Sequence, residues 1–192
     1  MLIDKTAIVL YNNVTVKETE GKKDVVVYKN RRYLEMVLDS VINFDEIIIA
    51  KEFNNLCDRY GLKGSKIEED IRILNICRAL RESRNDEALV ISCNTPLISK
   101  KLIENMASIN FEEDVLIVYA KGKLQPFCAI YKKTVIPYLE EMIAKNIHSI
   151  DELLNNISVR YVFPKSEESF ISVDTIEEYA RLGKSSLIKG NI

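Results

Sequence analysis

This sequence predicts a three-layer α/β fold with a mainly parallel sheet between two helical layers. Three observations carry the prediction. Short β-branched runs alternate along the chain with amphipathic helical stretches. Several of the runs are apolar throughout instead of at every second position, as strands buried on both faces are. At 192 residues, 47% of them hydrophobic and 29% charged, the chain is long enough for one α/β domain with a full core.

The strand segments, in order, are 6–11, 24–28, 46–50, 88–92, 115–120, 127–131 and 158–163. Glu46-Ile47-Ile48-Ile49-Ala50 and Ala88-Leu89-Val90-Ile91-Ser92 are the clearest of them. Helices fill the gaps. Leu34, Val37, Leu38 and Val41 share one face at i, i+3, i+4, i+7, and Ile67, Ile71, Leu74 and Cys77 repeat the pattern. Ser99 reads as an N-cap ahead of Leu102, Ile103 and Met106. Segments 132–144 and 149–156 supply two more helices, with Pro137 breaking or restarting the first. Asp174, with Glu177 three residues on, resembles a helix start that Gly183 would end. No repeat, low-complexity stretch or Pro/Gly linker interrupts the chain. Residues 1–183 are therefore expected to form a single domain, with 184–192 as a loose tail.

Composition excludes several functions. The formal net charge of −2 leaves no footprint for nucleic acid or an anionic membrane. No apolar run approaches the ~20 residues of a membrane span, and no signal peptide opens the chain. The four cysteines, Cys57, Cys77, Cys93 and Cys128, form no C-x-x-C pair, and His148 is the one histidine. A Cys/His zinc site is not expected, and reduced thiols in the cytoplasm are. His148 reads as an exposed loop residue with no nucleophile near it.

The region after the first strand is the most informative. Thr6-Ala7-Ile8-Val9-Leu10 leads into Tyr11-Asn12-Asn13-Val14-Thr15-Val16-Lys17-Glu18-Thr19-Glu20-Gly21-Lys22, and then Lys23. A phosphate cradle needs backbone N–H groups that approach an anion closely, and glycines permit this. Here there is one glycine, with two acids and two valines. Asn12 and Asn13 tolerate tight left-handed geometry better than other non-glycine residues.

Four segments match a known pattern in order. Val9-Leu10, a turn and Lys23 stand where a family carries a strand, a turn L-A-G-G-x-S-x-R-M-G-x-D-K and its lysine, and Asn30-Arg31-Arg32-Tyr33-Leu34-Glu35 follows as its G-x-P-L-L-E. Asp58-Arg59-Tyr60-Gly61-Leu62-Lys63-Gly64-Ser65 is similar to a D-x-x-x-G-x-G-P-L loop. Val90-Ile91-Ser92-Cys93-Asn94-Thr95-Pro96-Leu97 is similar to a C-D-M-P-F/L segment. Gln125-Pro126-Phe127 and Phe170-Ile171-Ser172-Val173-Asp174-Thr175 are similar to Q-P-L and F-x-N-x-N-T segments. Together these resemble the molybdenum-cofactor guanylyltransferase family (molybdopterin-guanine dinucleotide biosynthesis protein A), nucleotidyltransferases of the glycosyltransferase-A type with a Rossmann-like fold.

The resemblance implies Mg²⁺-dependent transfer of GMP from GTP to molybdopterin. It places the nucleotide against Leu10, Tyr11, Asn12, Asn13, Lys23, Asp58 and Gly64, with Lys23 as the catalytic point charge on the triphosphate. Asn94 falls at the metal position, where the family has an aspartate. Gln125, Ser172 and Asp174 fall at the acceptor pocket, although Asp174 is equally well read as a helix N-cap. The implied partners are nucleotide and molybdopterin-like small molecules, without nucleic acid or membrane; a homodimer or a protein partner stays open. Two readings follow: a divergent nucleotidyltransferase, or a catalytically lapsed binding or regulatory protein on the same fold. The altered turn and Asn94 are what separate them.

Overall fold

The computed structural model describes residues 2–11, 27–28, 31–51, 67–147, 149–167 and 170. Among them a six-stranded sheet runs through the molecule. Its strands are β1 (Ile3–Tyr11), β4 (Phe44–Lys51), β5 (Glu87–Ser92), β6 (Val115–Ala120), β7 (Lys123–Lys132) and β8 (Val159–Val162), in the order β4-β1-β5-β7-β6-β8. β1 is parallel to β4 and β5, and β6 is parallel to β8. β7 alone runs the other way, antiparallel to β5 and to β6. The mainly parallel sheet expected from the apolar runs is thus present.

Helices α1 (Tyr33–Val41), α2 (Ile67–Glu82), α3 (Lys100–Ala107), α4 (Ile136–Ala144) and α5 (Ile150–Asn156) flank this sheet. Alternate strand residues feed two separate cores, because successive side chains point to opposite faces. Ile8, Val90, Ile117 and Tyr131 pack with Ile76 and Leu80 of α2, Leu139 of α4 and Leu153 of α5. Ala7, Val9, Leu89, Ile91, Leu116 and Ile130 pack with Val37 and Val41 of α1 and with Ile103 and Met106 of α3. Burial on both faces is the physical reason that these strands read as unbroken apolar runs.

Several local expectations are met. Ser99 caps α3, its side chain accepting from Leu102 N at 3.4 Å. Pro137 lies in the first turn of α4, where a missing N–H costs nothing, and a short 3₁₀ turn (Lys133–Val135) joins β7 to the helix. Other details differ. On α2 the fully buried stripe is Ile73, Ile76, Cys77 and Leu80, while Leu74 is half-buried. Cys77 is thus buried as expected, the side chains of Ile67 and Ile71 lie outside the described ones, and the helix packs on α4 as well as on β1 and β4, which buries more than one apolar row. Of the strand expected over 24–28, residues 24–26 lie outside the described residues, and the described part is β2 (Val27–Tyr28), paired antiparallel with β3 (Arg31–Arg32) in a separate ribbon. The helix expected after Asp174, the tail 184–192 and His148 lie outside the described residues.

The amino ends of the strands are closed by polar pairs. Glu46 accepts from Thr6 Oγ1 and from Arg84 N, both at 2.8 Å, and Lys5 pairs with Glu87. Asp114 accepts from Ser158 Oγ at 2.6 Å, Ser158 N at 2.9 Å and Thr134 Oγ1 at 2.6 Å.

Candidate functional site

The parallel strands β1, β4 and β5 finish at one edge. Leu10 is in register with Ala50 on one side and Ser92 on the other, and Tyr11 is opposite Lys51. In open α/β sheets this carboxyl edge is where ligands bind, because the loops there can diverge. The Leu10 side chain is buried in the core, so it is the Leu10–Tyr11 backbone that reaches the edge. The carbonyl of Leu10 accepts from Cys93 N at 3.1 Å, which fastens the end of β1 to the turn after β5.

That turn is tightly built. Ser92 Oγ accepts from Asn94 N at 3.2 Å, and Ser92 O accepts from Thr95 Oγ1 at 3.0 Å. Pro96 is buried and Ile98 N donates to Thr95 O at 3.2 Å, so the chain passes directly from strand end to the Ser99 cap. Asn94 therefore stands at the edge on a fixed backbone. Its Oδ1 accepts from the buried Cys93 Sγ at 3.4 Å.

β7 contributes to the same edge because it runs backwards. Its amino-terminal half lies beside the carboxyl ends of β5 and β6, as the pairs Ile91–Cys128 and Val118–Gln125 require. Gln125 Nε2 donates to Ala120 O at 3.0 Å and ties the β6–β7 hairpin. Between Ile117 and Val118 the register shifts, and Pro126 turns its carbonyl inward to accept from Tyr131 Oη at 2.8 Å. Burial drives the Tyr131 phenol well above its ordinary range, with Cys128 adding to the effect. Burial also pushes the Cys128 thiol up to about 12. Both groups are thus neutral packing elements under the site wall, unsuited to acid–base or nucleophilic work.

Of the residues the resemblance assigned, Leu10, Tyr11 (by backbone), Asn94 and Gln125 come together at this edge. Asn12, Asn13, Lys23, Asp58, Gly64, Ser172 and Asp174 lie outside the described residues. Sequence reasoning missed Arg72, whose guanidinium carbon stands 5.2 Å from the Phe127 ring centroid beside this edge. It sits in a charged helical stretch without a motif, and only the packing of α2 on the sheet reveals it.

The donor set bears on magnesium. No group of three or more His, Cys, Asp or Glu side chains among the described residues could hold a metal ion. The described donors of the Asn94 turn are amide and hydroxyl oxygens, all neutral. Mg²⁺ relies on one or two carboxylates with substrate phosphates, so these residues by themselves do not fit a resident ion.

A family model described as the MobA-like NTP transferase domain matches residues 18–159. The chain belongs to that family. A Clostridium perfringens (strain 13 / Type A) protein named as a probable molybdenum cofactor guanylyltransferase is 27% identical, the match covering 97% of this chain and 100% of that one. A Bacillus subtilis (strain 168) protein of the same name is 26% identical over 85% of this chain and 87% of its own. The MobA-like architecture also recurs in solved structures. Molybdopterin-guanine dinucleotide biosynthesis protein A from Archaeoglobus fulgidus superposes with a TM-score of 0.68 at 20% identity, over 95% of this chain and 99% of that one. A 4-diphosphocytidyl-2C-methyl-D-erythritol synthase from Anaerococcus prevotii gives 0.72 at 15%, over 96% of each. The glycosyltransferase-A type, Rossmann-like fold of a nucleotidyltransferase is therefore the fold of this chain.

Proposed function

We propose that this MobA-like protein transfers GMP from GTP to molybdopterin. One observation carries the reading furthest within the family: the Asn94 turn is hydrogen-bonded to the end of β1, so the segments matched to metal and donor binding share one edge of the sheet. The proteins named above as molybdenum cofactor guanylyltransferases, similar over nearly the whole chain, support the choice of nucleotide and acceptor.

The reaction is an in-line displacement. An acceptor phosphate oxygen attacks the α-phosphorus of GTP, a new P–O bond forms and pyrophosphate leaves. Catalysis is mainly positioning and neutralisation of charge. Lys23 supplies the point charge on the triphosphate, and backbone amides near Asn12 and Asn13 receive its oxygens. Asp58 accepts from the guanine edge or a ribose hydroxyl, and Gly64 lets the chain pass close to the base. Gln125, Ser172 and Asp174 line the acceptor side. Asn94 offers at most one neutral oxygen to Mg²⁺, and Asp24 and Asp174 are the acids to test as replacements for the missing carboxylate. Residues 1–183 form the single functional domain in this reading, acting in the cytoplasm.

The test is calorimetric titration with GTP, CTP and ATP, with and without Mg²⁺, followed by a GMP-transfer assay. Micromolar, Mg²⁺-dependent affinity for GTP alone, with transfer, is the expected result. Asn94 favours a second reading, a catalytically lapsed binding or regulatory protein, because its Oδ1 faces a thiol and carries no charge. That reading predicts no heat with any triphosphate and restoration of binding when Asn94→Asp is combined with a glycine-rich turn.

A further inference from the structure

Two residues at the site edge belong to no strand ladder. Between the pairs Ile117–Ala129 and Val118–Gln125, β6 advances by a single step while β7 takes in Pro126, Phe127 and Cys128. On the other side Cys128 pairs with Ile91, and the β5–β7 ladder ends there. Pro126 and Phe127 thus lie outside both ladders, directly after Gln125. Irregularities of this kind re-aim side chains beside sites.

A side chain reaches each of the two from the α2 side of the sheet. The Tyr131 hydroxyl donates to Pro126 O at 2.8 Å, and the Arg72 guanidinium lies over the Phe127 ring. Tyr131 is fully buried and packs with Ile8, Val90, Ile117 and Leu139. A phenylalanine ring would fill the same core, and a buried phenol costs more than a phenyl ring unless its hydroxyl is bonded. The hydroxyl therefore serves the carbonyl, which ladder pairing does not reach.

Gln125 stands where the regular ladder gives way. Its backbone pairs with Val118, and its Nε2 donates to Ala120 O at 3.0 Å. That bond turns Oε1 away from the carbonyl, as an acceptor for an N–H of a ligand. The hairpin fixes Gln125 on one side, and Pro126 fixes it on the other. A shift of ~1 Å in a group that positions substrate can cost up to ~100-fold in rate.

We propose that Tyr131 is a positioning residue for the acceptor: by holding Pro126 O, its hydroxyl sets the place of Gln125, whose amide oxygen accepts from an N–H of the acceptor's heterocycle. This rests on the nucleotidyl-transfer reading above, in which Gln125 lines the acceptor side. The ligand class is a phosphorylated nitrogen heterocycle with N–H donors.

Tyr131→Phe keeps the ring and removes the hydroxyl. In the GMP-transfer assay it is expected to raise KM for molybdopterin about tenfold, with KM for GTP unchanged and kcat altered less than about twofold. Ile130→Val, a buried change on the same strand, controls for lost stability and should leave both KM values as in wild type. Because Tyr131 acts through Gln125, Tyr131→Phe should add less than about twofold to the molybdopterin KM of Gln125→Ala. In wild type, molybdopterin should slow backbone hydrogen exchange over 124–128, read by mass spectrometry, which needs no variant. An unchanged molybdopterin KM in Tyr131→Phe, an equal rise in KM for GTP, the same rise in Ile130→Val, additive effects with Gln125→Ala, or exchange over 124–128 that ignores molybdopterin would each overturn the role. Wild type that transfers no GMP would overturn the reaction instead. In that case weaker molybdopterin protection over 124–128 in Tyr131→Phe still upholds the positioning, and equal protection overturns it.

Discussion

Asn94 and Asp114 show what single polar groups decide in this chain. At Asn94 the turn holds a neutral amide at the carboxyl edge of the sheet, where the proposed reading brings a substrate phosphate. Asn94→Asp is expected to raise the Mg²⁺-dependent affinity for GTP by about tenfold, measured by calorimetry at fixed free Mg²⁺. Because Ser92 Oγ holds the backbone of residue 94, the change should leave the melting temperature nearly unchanged. Asp114 acts on stability. Partial burial pushes its carboxyl upward, but the hydrogen bonds from Ser158 and Thr134 and the charge of Lys132 outweigh that and hold it below the ordinary aspartate range. A lowered folded value means that the stabilisation is complete above the unfolded pKa and is lost as pH falls through the folded one. Denaturant midpoints should therefore fall below about pH 4 in wild type, and Asp114→Asn should flatten that acid limb while lowering stability at neutral pH. A limb equally steep in the variant would assign it to other carboxylates.

Individual elements depend on a few positions. The β6–β7 hairpin closes with Lys121 at φ 54° and Gly122 at φ 74°, both in the left-handed region, between the paired Ala120 and Lys123. Two-residue hairpin turns favour such geometry because it matches strand twist. A Cβ on Gly122 would meet nothing within 4 Å, so Gly122→Ala tests backbone strain alone. It is expected to cost about 1–2 kcal/mol in chemical denaturation. On α3, Ser99→Ala removes the acceptor for Leu102 N and is expected to cost about 1 kcal/mol. A loss well below that would mean that Pro96 and the turn before it already fix the helix start.

Across the whole molecule, the layers were legible because both faces of the sheet are covered. Ala88–Ile91 and Val115–Val118 had to be apolar throughout, and continuous apolar runs are visible without a structure. Leu116, fully buried between the sheet and the α1/α3 layer, carries the same logic into energetics: Leu116→Ala should cost about 2–5 kcal/mol. Strand direction was not legible, since an apolar run reads alike forwards and backwards, and so the reversal of β7 came only with its pairing to β5 and β6. On α2 the expected row reaches the core at Cys77, and Ile73, Ile76 and Leu80 join it because a helix touching both a sheet and another helix buries more than one row. At the site, the Ser92–Pro96 turn stood out by its residues, with its Asn94 and buried proline. Arg72 did not, because a charged residue on a helix reads as solvated until its position over the Phe127 ring is seen.

The reversed strand has a consequence for how such a site changes over evolutionary time. Loops alter binding by growing and shrinking, whereas a strand held in a ladder changes length only at an irregularity, and β7 carries one here: Ile117 pairs with Ala129 but Val118 with Gln125. Related chains with different substrates should therefore keep the regular ladder from Cys128 to Lys132 against β5 and vary in length between Lys123 and Phe127.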